Sequence, residues 1–273
     1  MPPARIVFWA ATIGGIAFAV RSVLTAPPSL PICIALAAAY FAILLSGVFV
    51  LRLRMFADAI VRGPGDATGV VLTFDDGPDP VHTREVLDAL DVHEAKATFF
   101  VIGKKAEQHR DVIEEILRRG HEVGIHGFDH DRFFSLRGDK RVRADLERAI
   151  RSLENITGKT PLLFRPPIGH TNPTIARIAD QLDLTMIGWS VRAVDGLART
   201  KPDDVLARIA RGLQDGAIVL LHDAPEHGTR KPAGVTALPA ILERIAAKNL
   251  RVTPLSKWLV EPADRLEDEP SKS

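Results

Sequence analysis

The architecture of this chain can be predicted outward from one segment, Val70-Val71-Leu72-Thr73-Phe74-Asp75-Asp76-Gly77-Pro78. Its apolar, β-branched and aromatic residues predict a buried strand, and the Asp-Gly and Pro residues after them are typical of a turn. Two adjacent carboxylates at the end of a buried strand are costly unless a cation compensates their charge. An isolated Asp-Asp-Gly-Pro sequence is more often an ordinary turn, so the position at a strand end is what favours a functional site.

Short apolar runs alternate with charged, amphipathic segments downstream of this strand. Further strands are predicted at 97–101, 121–125, 162–164, 185–188, 217–221 and 251–253. Helices are predicted at 81–92, 104–119, 137–157, from 172, 202–213 and 237–248. About seven β–α units favour a parallel α/β fold, either an open sheet or a barrel. In such a fold the chemistry lies at the carboxyl edge of the strands.

Two histidines follow the predicted strand that ends at Ile125. His126 and His130 are spaced i and i+4, which places them on one side of a helical turn and suits a metal pair. Histidines at this spacing are more often surface residues. Together with a strand-end carboxylate, however, they predict a three-ligand catalytic metal site with open positions for water.

Two more predicted strand ends carry ionisable groups. Arg165 leaves a buried strand and should find a carboxylate, in a loop that two prolines rigidify. An ordinary surface loop with a salt bridge is the alternative. His222 and Asp223 close the apolar run 217–221, where a lone histidine is usually structural. Chemically reactive residues therefore follow four predicted strands directly, as expected for a site at the carboxyl edge.

The composition excludes several classes of protein. The chain has 273 residues, 46% of them hydrophobic, and a formal net charge of +1. It lacks the basic excess of a nucleic-acid binder and the low hydrophobicity of a disordered chain. The single cysteine, Cys33, excludes an intramolecular disulfide and a thiolate-clustered metal site.

The N-terminal region predicts a membrane-associated helical hairpin. Residues 32–51 form an uncharged run long enough to span the roughly 30 Å of a bilayer core. A shorter uncharged run at 6–20 ends at Arg21, and the proline-rich segment 26–31 between the two runs predicts a turn. A cleaved signal peptide for the first run, or a buried helix of a soluble protein, are the alternatives. Arginines at 52, 54 and 62 favour a cytoplasmic position for the rest of the chain, with an extracytoplasmic one left open.

Residues 70–255 resemble the polysaccharide deacetylase (NodB-homology) family, carbohydrate esterase family 4. The resemblance rests on Thr73-Phe74-Asp75-Asp76-Gly77-Pro78, then His126 and His130, then Arg165-Pro166-Pro167-Ile168-Gly169, then Leu220-Leu221-His222, in the family's order. It implies a distorted (β/α)7-type barrel, here preceded by the transmembrane hairpin, which agrees with the alternation of strands and helices.

The resemblance also implies a set of residue roles. Asp76, His126 and His130 are expected to hold a divalent metal, usually zinc, with cobalt or nickel also accepted. Asp75 is expected to act as the general base and His222, protonated, as the general acid.

Supporting roles follow from the same resemblance. Arg165 is expected to pair with Asp75, Asp195 to orient the acid histidine, and a backbone N–H near His170 to help stabilise the oxyanion. The expected substrate and oxyanion residues are His170, Pro167, Trp189 and Arg192.

This sequence departs from the family's pattern at several positions. Gly127 stands where a Ser or Thr usually follows the first histidine, so a looser loop is expected there. His170 replaces an aromatic residue, while Arg192 and Gly196 replace an acid and an aromatic residue. The catalytic groups are therefore expected to be intact and substrate recognition to differ. The added cationic Arg192 favours an anionic group on the substrate.

The sequence thus predicts a metal-dependent hydrolase that removes N-acetyl groups from an amino-sugar glycan or a lipid-linked amino sugar. Deformylation or amide hydrolysis of a non-sugar substrate is one alternative, and a catalytically silent carbohydrate-binding membrane protein is another. The expected partners are the glycan or glycolipid substrate and membrane lipid, with no nucleic acid and no protein partner predicted. The expected division is an anchoring hairpin and linker at 1–62, a catalytic domain at 66–258 and a disordered acidic tail at 259–273.

Overall fold

The computed structural model describes residues 1–259. Apart from residue 259, the predicted acidic tail lies outside the described residues. The strands are β1 (Val70–Asp75), β2 (Thr98–Val101), β3 (Glu122–Ile125), β4 (Leu163–Phe164), β5 (Thr185–Met186), β6 (Val191–Arg192) and β7 (Ala217–His222). The helices are α1 (Pro3–Leu24), α2 (Leu30–Phe49), α3 (His82–Val92), α4 (Gly103–Gln108), α5 (Arg110–Arg118), α6 (Asp139–Thr157), α7 (Pro173–Gln181), α8 (Pro202–Gly212) and α9 (Ala233–Ala247).

The seven strands form one parallel sheet in the order β5-β4-β3-β2-β1-β7-β6. Strand β1 lies centrally, and its residues 70–74 are fully buried, as expected for a parallel strand covered on both faces. Because all strands run in the same direction, the residues that end β1, β3, β4 and β7 meet at a single edge. The structure confirms the predicted α/β fold of distorted (β/α)7 type with two apolar helices before it.

The segment 60–63 spans the gap between the two sides of the sheet. The N–H of Ile60 donates to the carbonyl of Met186 (2.9 Å), and the N–H of Gly188 donates to the carbonyl of Ile60 (2.8 Å). Farther along, the N–H of Gly63 donates to the carbonyl of Gly216 (2.9 Å), just before β7. The last residues of the predicted linker therefore take part in the barrel.

Three local predictions differ from the structure. The helix predicted at 104–119 is divided at His109, whose φ of −129° and ψ of 54° are not helical. The strand predicted at 251–253 is reduced to a single bridge between Val252 and Val70. Strand β6 was not predicted, because its two residues, Val191 and the exposed Arg192, form no apolar run.

Helices α1 and α2 are 22 and 20 residues long and are each apolar enough to cross a membrane. The helices exceed the predicted runs at their N-terminal ends, and α1 contains Arg5 and Arg21. Most of their residues are exposed in the isolated chain, and only Gly47 is buried. The hydroxyls of Thr12 and Tyr40 lie 3.0 Å apart and join the two helices. Such an exposed apolar surface fits a membrane anchor or a signal sequence better than the mostly buried helix of a soluble core.

Candidate metal centre and active site

A cavity of about 440 Å³ opens at the carboxyl edge of the sheet. Its walls include the predicted residues Asp75, Asp76, His126, His130 and His222. Asp75 ends β1 and His222 ends β7, and the two residues pair directly in the register of these neighbouring strands. Parallel strand pairing therefore brings together two residues that are far apart in the sequence.

The carboxylate of Asp75 is fixed by the fully buried guanidinium of Arg165. The Nη1 atom of Arg165 donates to Asp75 Oδ1 (2.6 Å) and to Thr73 Oγ1 (2.8 Å). The other guanidinium nitrogens donate to the carbonyls of Ile187 (3.1 Å) and Gly188 (2.9 Å). The buried charge is thus both neutralised and hydrogen-bonded, which is the condition for tolerating it in a protein interior. The expected pairing of Arg165 with a strand-end carboxylate is present.

Asp76, His126 and His130 converge on one point. The Nε2 atoms of His126 and His130 lie 3.6 Å and 3.2 Å from Asp76 Oδ1, and one ligand atom from each residue lies within 4.8 Å of the others. The Nδ1 atom of His126 is 2.8 Å from the carbonyl oxygen of Arg165, so this nitrogen carries the proton and Nε2 has a free lone pair.

The two histidines meet through a loop rather than through a helical turn. His130 has a φ of +52° and Gly127 a φ of +75°, both in the left-handed region. The carboxylate of Asp145 on α6 accepts hydrogen bonds from the N–H groups of Phe128 (2.9 Å) and Asp129 (3.3 Å). The two histidines lie together as the spacing predicts, but the predicted helical turn is wrong, because side-chain contacts to α6 shape a loop.

The three side chains fit a divalent cation. Asp76 Oδ1 is buried and has no hydrogen-bond partner within residues 1–259. Burial, reinforced by the neighbouring charge of Asp75, raises the pKa of Asp76 to about 7. Burial lowers the pKa of both His126 and His130 to about 3, so both imidazoles are neutral. One carboxylate and two neutral imidazoles are donors that zinc prefers at a catalytic site.

His222 is held in the opposite protonation state. Its Nδ1 lies 2.8 Å from Oδ1 of the fully buried Asp195, whose Oδ2 accepts the backbone N–H of His222 (2.9 Å). Burial alone would lower the pKa of His222, but the charge and hydrogen bond of Asp195, together with the charges of Asp76 and Asp75, outweigh it and raise the pKa to about 9. The imidazolium Nε2 lies 4.0 Å from Asp76 Oδ2.

The four predicted substrate and oxyanion residues separate into two pairs. Trp189 and Arg192 line the cavity, whereas Pro167 is buried and His170 lies beside Phe49, with ring centroids 4.7 Å apart. The backbone N–H of His170 donates to the carbonyl of Pro167 at 3.2 Å. An oxyanion role for this N–H would require that bond to be given up.

Sequence reasoning missed Glu226, which lies on the loop after β7. Its Oε1 is 3.2 Å from His130 Nδ1, in contact but without full hydrogen-bond alignment. Arg132 holds the Glu226 carboxylate with two bonds of 2.6 Å. Lys105 was missed as well: its ammonium donates to the carbonyls of Asp76 and Pro225, both at 2.7 Å. No pattern in the sequence marks these contacts, since each joins segments that are distant in the sequence.

Known proteins share this arrangement of strands. The sequence model of the family described as polysaccharide deacetylase matches residues 62–187. A peptidoglycan-N-acetylglucosamine deacetylase of Bacillus cereus is 32% identical over 197 residues, which cover 72% of this chain and 90% of the relative. The chain belongs to the polysaccharide deacetylase family. A chitooligosaccharide deacetylase of Bradyrhizobium, another relative, is 31% identical, with 72% of this chain and 94% of the relative covered.

Solved structures of this family resemble the chain in three dimensions. A peptidoglycan N-acetylglucosamine deacetylase in complex with an N-oxidanyl-benzamide superposes with a TM-score of 0.68 at 28% identity, covering 72% of this chain and 91% of that one. A family pseudoenzyme from Bacillus anthracis gives a TM-score of 0.67 at 27% identity, covering 77% of this chain and 72% of that one. Since the fold occurs in an enzyme and in a pseudoenzyme, catalysis depends on the side chains of the site and not on the fold alone.

Proposed function

We propose that this polysaccharide deacetylase homologue is a metal-dependent hydrolase that removes N-acetyl groups from an amino-sugar glycan or glycolipid. The observation that carries the proposal is the convergence of Asp76, His126 and His130 beside Asp75 and His222 in one cavity. Two relatives are named a peptidoglycan-N-acetylglucosamine deacetylase and a chitooligosaccharide deacetylase. These names support an amino-sugar substrate.

Asp76, His126 and His130 would hold the cation, with zinc the best fit and cobalt or nickel as alternatives. When bound, such a cation supplies a water of lowered pKa and polarises the acyl carbonyl. The fixed Nδ1 contact of His126 orients its Nε2 towards the ligand group before any ion binds.

Asp75 is the general base in this proposal. Its Oδ1 is occupied by Arg165, which leaves Oδ2 free, 3.8 Å from His126 Nε2 and on the side of the metal ligands. The bond to Arg165 stops the carboxylate from rotating. Asp75 Oδ2 therefore accepts the proton from the attacking water.

His222 is the general acid. Its Nδ1–H is held by Asp195, so the proton on Nε2 faces the cavity and is available to the departing sugar amine. Asp75 is ready to accept a proton while His222 is ready to donate one, which is the pairing that amide hydrolysis requires. Trp189 and Arg192 are the proposed substrate contacts. Pro167 and His170 belong to the loop after β4 and shape it.

The N-terminal hairpin is the proposed membrane anchor, with the catalytic domain following at 66–258. Arginines near the domain end of the hairpin favour the cytoplasmic side. Reporter fusions after residue 273 would test this sidedness.

The test uses the full-length chain purified in detergent. We expect about one zinc per chain and release of acetate from N-acetylglucosamine oligomers. Asp75→Asn should abolish acetate release while zinc remains bound. Asp88→Asn, an exposed carboxylate on α3, is the matched control and should behave like the wild type.

Other outcomes would favour the alternatives. Release of formate or ammonia from another amide would favour a deformylase or amidase. Zinc binding with no turnover of any amide would favour a catalytically silent carbohydrate-binding protein. The presence of Asp75, Arg165, Asp195 and His222 in hydrogen-bonded contact argues against that last reading.

A further inference from the structure

The domain end of α2 is docked on the loop beside the cavity. The N–H of Thr171 donates to the carbonyl of Val48 (3.0 Å), and Phe49 packs edge-on against His170. Leu51, directly after the helix, is 4% exposed and contacts the barrel at Gly188. The C-terminal end of α2 therefore packs against the same loop whose Ile168 lines the cavity.

The domain end of α1 is tied down as well. The guanidinium of Arg5 donates to Asp58 Oδ1 (2.9 Å) and to the carbonyl of Met55 (3.1 Å). With both helices fixed at this end, a hairpin inserted in a bilayer places the membrane surface near Phe49. The cavity then opens beside that surface, because Ile168 lies two residues from His170.

Arg192 lies in the same region and has no counter-charge. It lines the cavity, it is exposed, and no ion pair or side-chain hydrogen bond joins it to any residue in the described part of the chain. It is close enough to His170 for its charge, after the larger effect of burial, to lower the pKa of that imidazole.

The other two arginines of the cavity are engaged. Arg132 makes its two bonds to Glu226, and Arg230 donates to the carbonyls of Gly196 (2.6 Å) and Leu197 (3.2 Å). Arg192 is thus the guanidinium left free to bind a ligand, and it lies between the catalytic cavity and the docked end of α2.

We propose that the substrate is an amino sugar joined through a phosphate ester to a lipid of the same membrane, and that Arg192 binds this phosphate. The inference rests on the proposed deacetylase activity. A guanidinium matches a phosphate group with paired hydrogen bonds. Two exposed apolar residues of the cavity rim, Ile168 (37% exposed) and Leu197 (62%), offer a path for the first part of the lipid chain. A lipid-linked sugar reaches the cavity without leaving the bilayer surface, to which the hairpin holds the domain.

The test compares three substrates of the full-length protein in vesicles: N-acetylglucosaminyl-phosphoryl-polyprenol, N-acetylglucosamine 1-phosphate and a neutral N-acetylglucosamine trimer. We expect the lipid-linked substrate to have the highest kcat/KM. Arg192→Gln should lower the ratio of kcat/KM for this substrate over the trimer about tenfold, mainly through KM, and Arg192→Lys should restore part of it. Arg151→Gln on the outer surface of α6 is the control, and its ratio should equal that of the wild type.

Each other result has a defined meaning. Equal losses on the lipid-linked substrate and the trimer would overturn the phosphate role of Arg192. A preference for the soluble sugar phosphate over the lipid-linked one would overturn the membrane source. Acetate release from the trimer alone would overturn this inference and leave the deacetylase proposal standing. Acetate release from none of the three would count against the deacetylase proposal itself.

Discussion

Individual residues of the site owe their chemical state to their neighbours. Arg165 occupies one oxygen of Asp75, and Asp195 holds the Nδ1 side of His222, so each reactive group presents a single free atom to the cavity. Burial removes competing water, which makes each of these contacts stronger than it would be at the surface. The site therefore depends on supporting residues as much as on the groups proposed to react.

Asp195→Asn tests whether Asp195 keeps the proposed general acid, His222, protonated. Removing the carboxylate takes away the largest effect that raises the pKa of His222, while burial still lowers it, so this pKa should fall from about 9. Since the folded-state pKa of the wild type is raised, the stability that this pair contributes is fully present below about pH 6.5 and lost as the pH rises through about 9. NMR titration of the imidazole and unfolding at several pH values measure both effects. An unchanged pKa would show that Asp195 does not control the protonation of His222.

Glu226→Gln tests whether the Glu226 carboxylate supports His130 as a proposed metal ligand. A carboxylate next to Nδ1 orients the imidazole and increases its basicity, and losing this charge typically weakens metal binding by about 10-fold or more. Zinc affinity measured by competition with a chelator gives the readout independently of activity. Glu147→Gln, on the outer side of α6, is the matched control. Equal zinc affinity in both variants would mean that Glu226 forms an ion pair with Arg132 but does not support His130.

At the scale of elements, the loop between β3 and the 3₁₀ turn at 134–136 positions the histidines. The sequence comparison with the family's usual Ser or Thr predicted a looser loop at Gly127. The structure shows a different compensation, since Asp145 of α6 binds two N–H groups of the loop. Asp145 therefore supports this loop although the hydroxyl of a Ser or Thr is missing at position 127.

Gly127→Ala tests this loop. The backbone at position 127 has a φ of +75°, and a Cβ there would lie 3.0 Å from Asp145 Oδ1. We expect a loss of about 1 kcal/mol in unfolding free energy, together with weaker zinc binding. Urea denaturation and zinc competition are the measurements. Gly65→Ala, where an added Cβ meets nothing within 4 Å, should stay within about 0.5 kcal/mol of the wild type. An equal effect at both positions would contradict the structural argument.

At the scale of the whole molecule, the proposed metal site joins three parts of the barrel. Asp76 follows β1, the histidines follow β3, and Glu226 with Arg132 connects them to the loop after β7. An ion bound at this point would hold these parts together only in the folded chain. Metal binding and global stability should therefore be coupled.

Zinc should raise the melting temperature of the full-length protein. At a free concentration 100 times Kd the gain is about 2.7 kcal/mol, or roughly 5–10 °C for a domain of this size. Calorimetry with zinc and with a chelator measures the difference, and Asp76→Asn should remove most of it. A melting temperature that does not respond to zinc would show that the three ligands do not form a metal site.

Much of this molecule could be predicted from its sequence. The alternation of apolar and charged segments gave the parallel α/β fold, because a strand buried on both faces needs a continuous apolar run. The residues at four strand ends gave the members of the site, because parallel strands place their carboxyl ends together. The apolar runs at the N-terminus gave both long helices.

Contacts between distant segments were decided by the tertiary structure alone. Examples are the Glu226–His130 contact, the loop geometry that Asp145 imposes, the docking of Phe49 on His170 and the free guanidinium of Arg192. Periodicity and motif spacing report on the local backbone, where hydrophobic burial fixes the pattern of residue types. A pairing between two loops leaves no such pattern, because its free energy depends on a distance that exists only after the chain has folded.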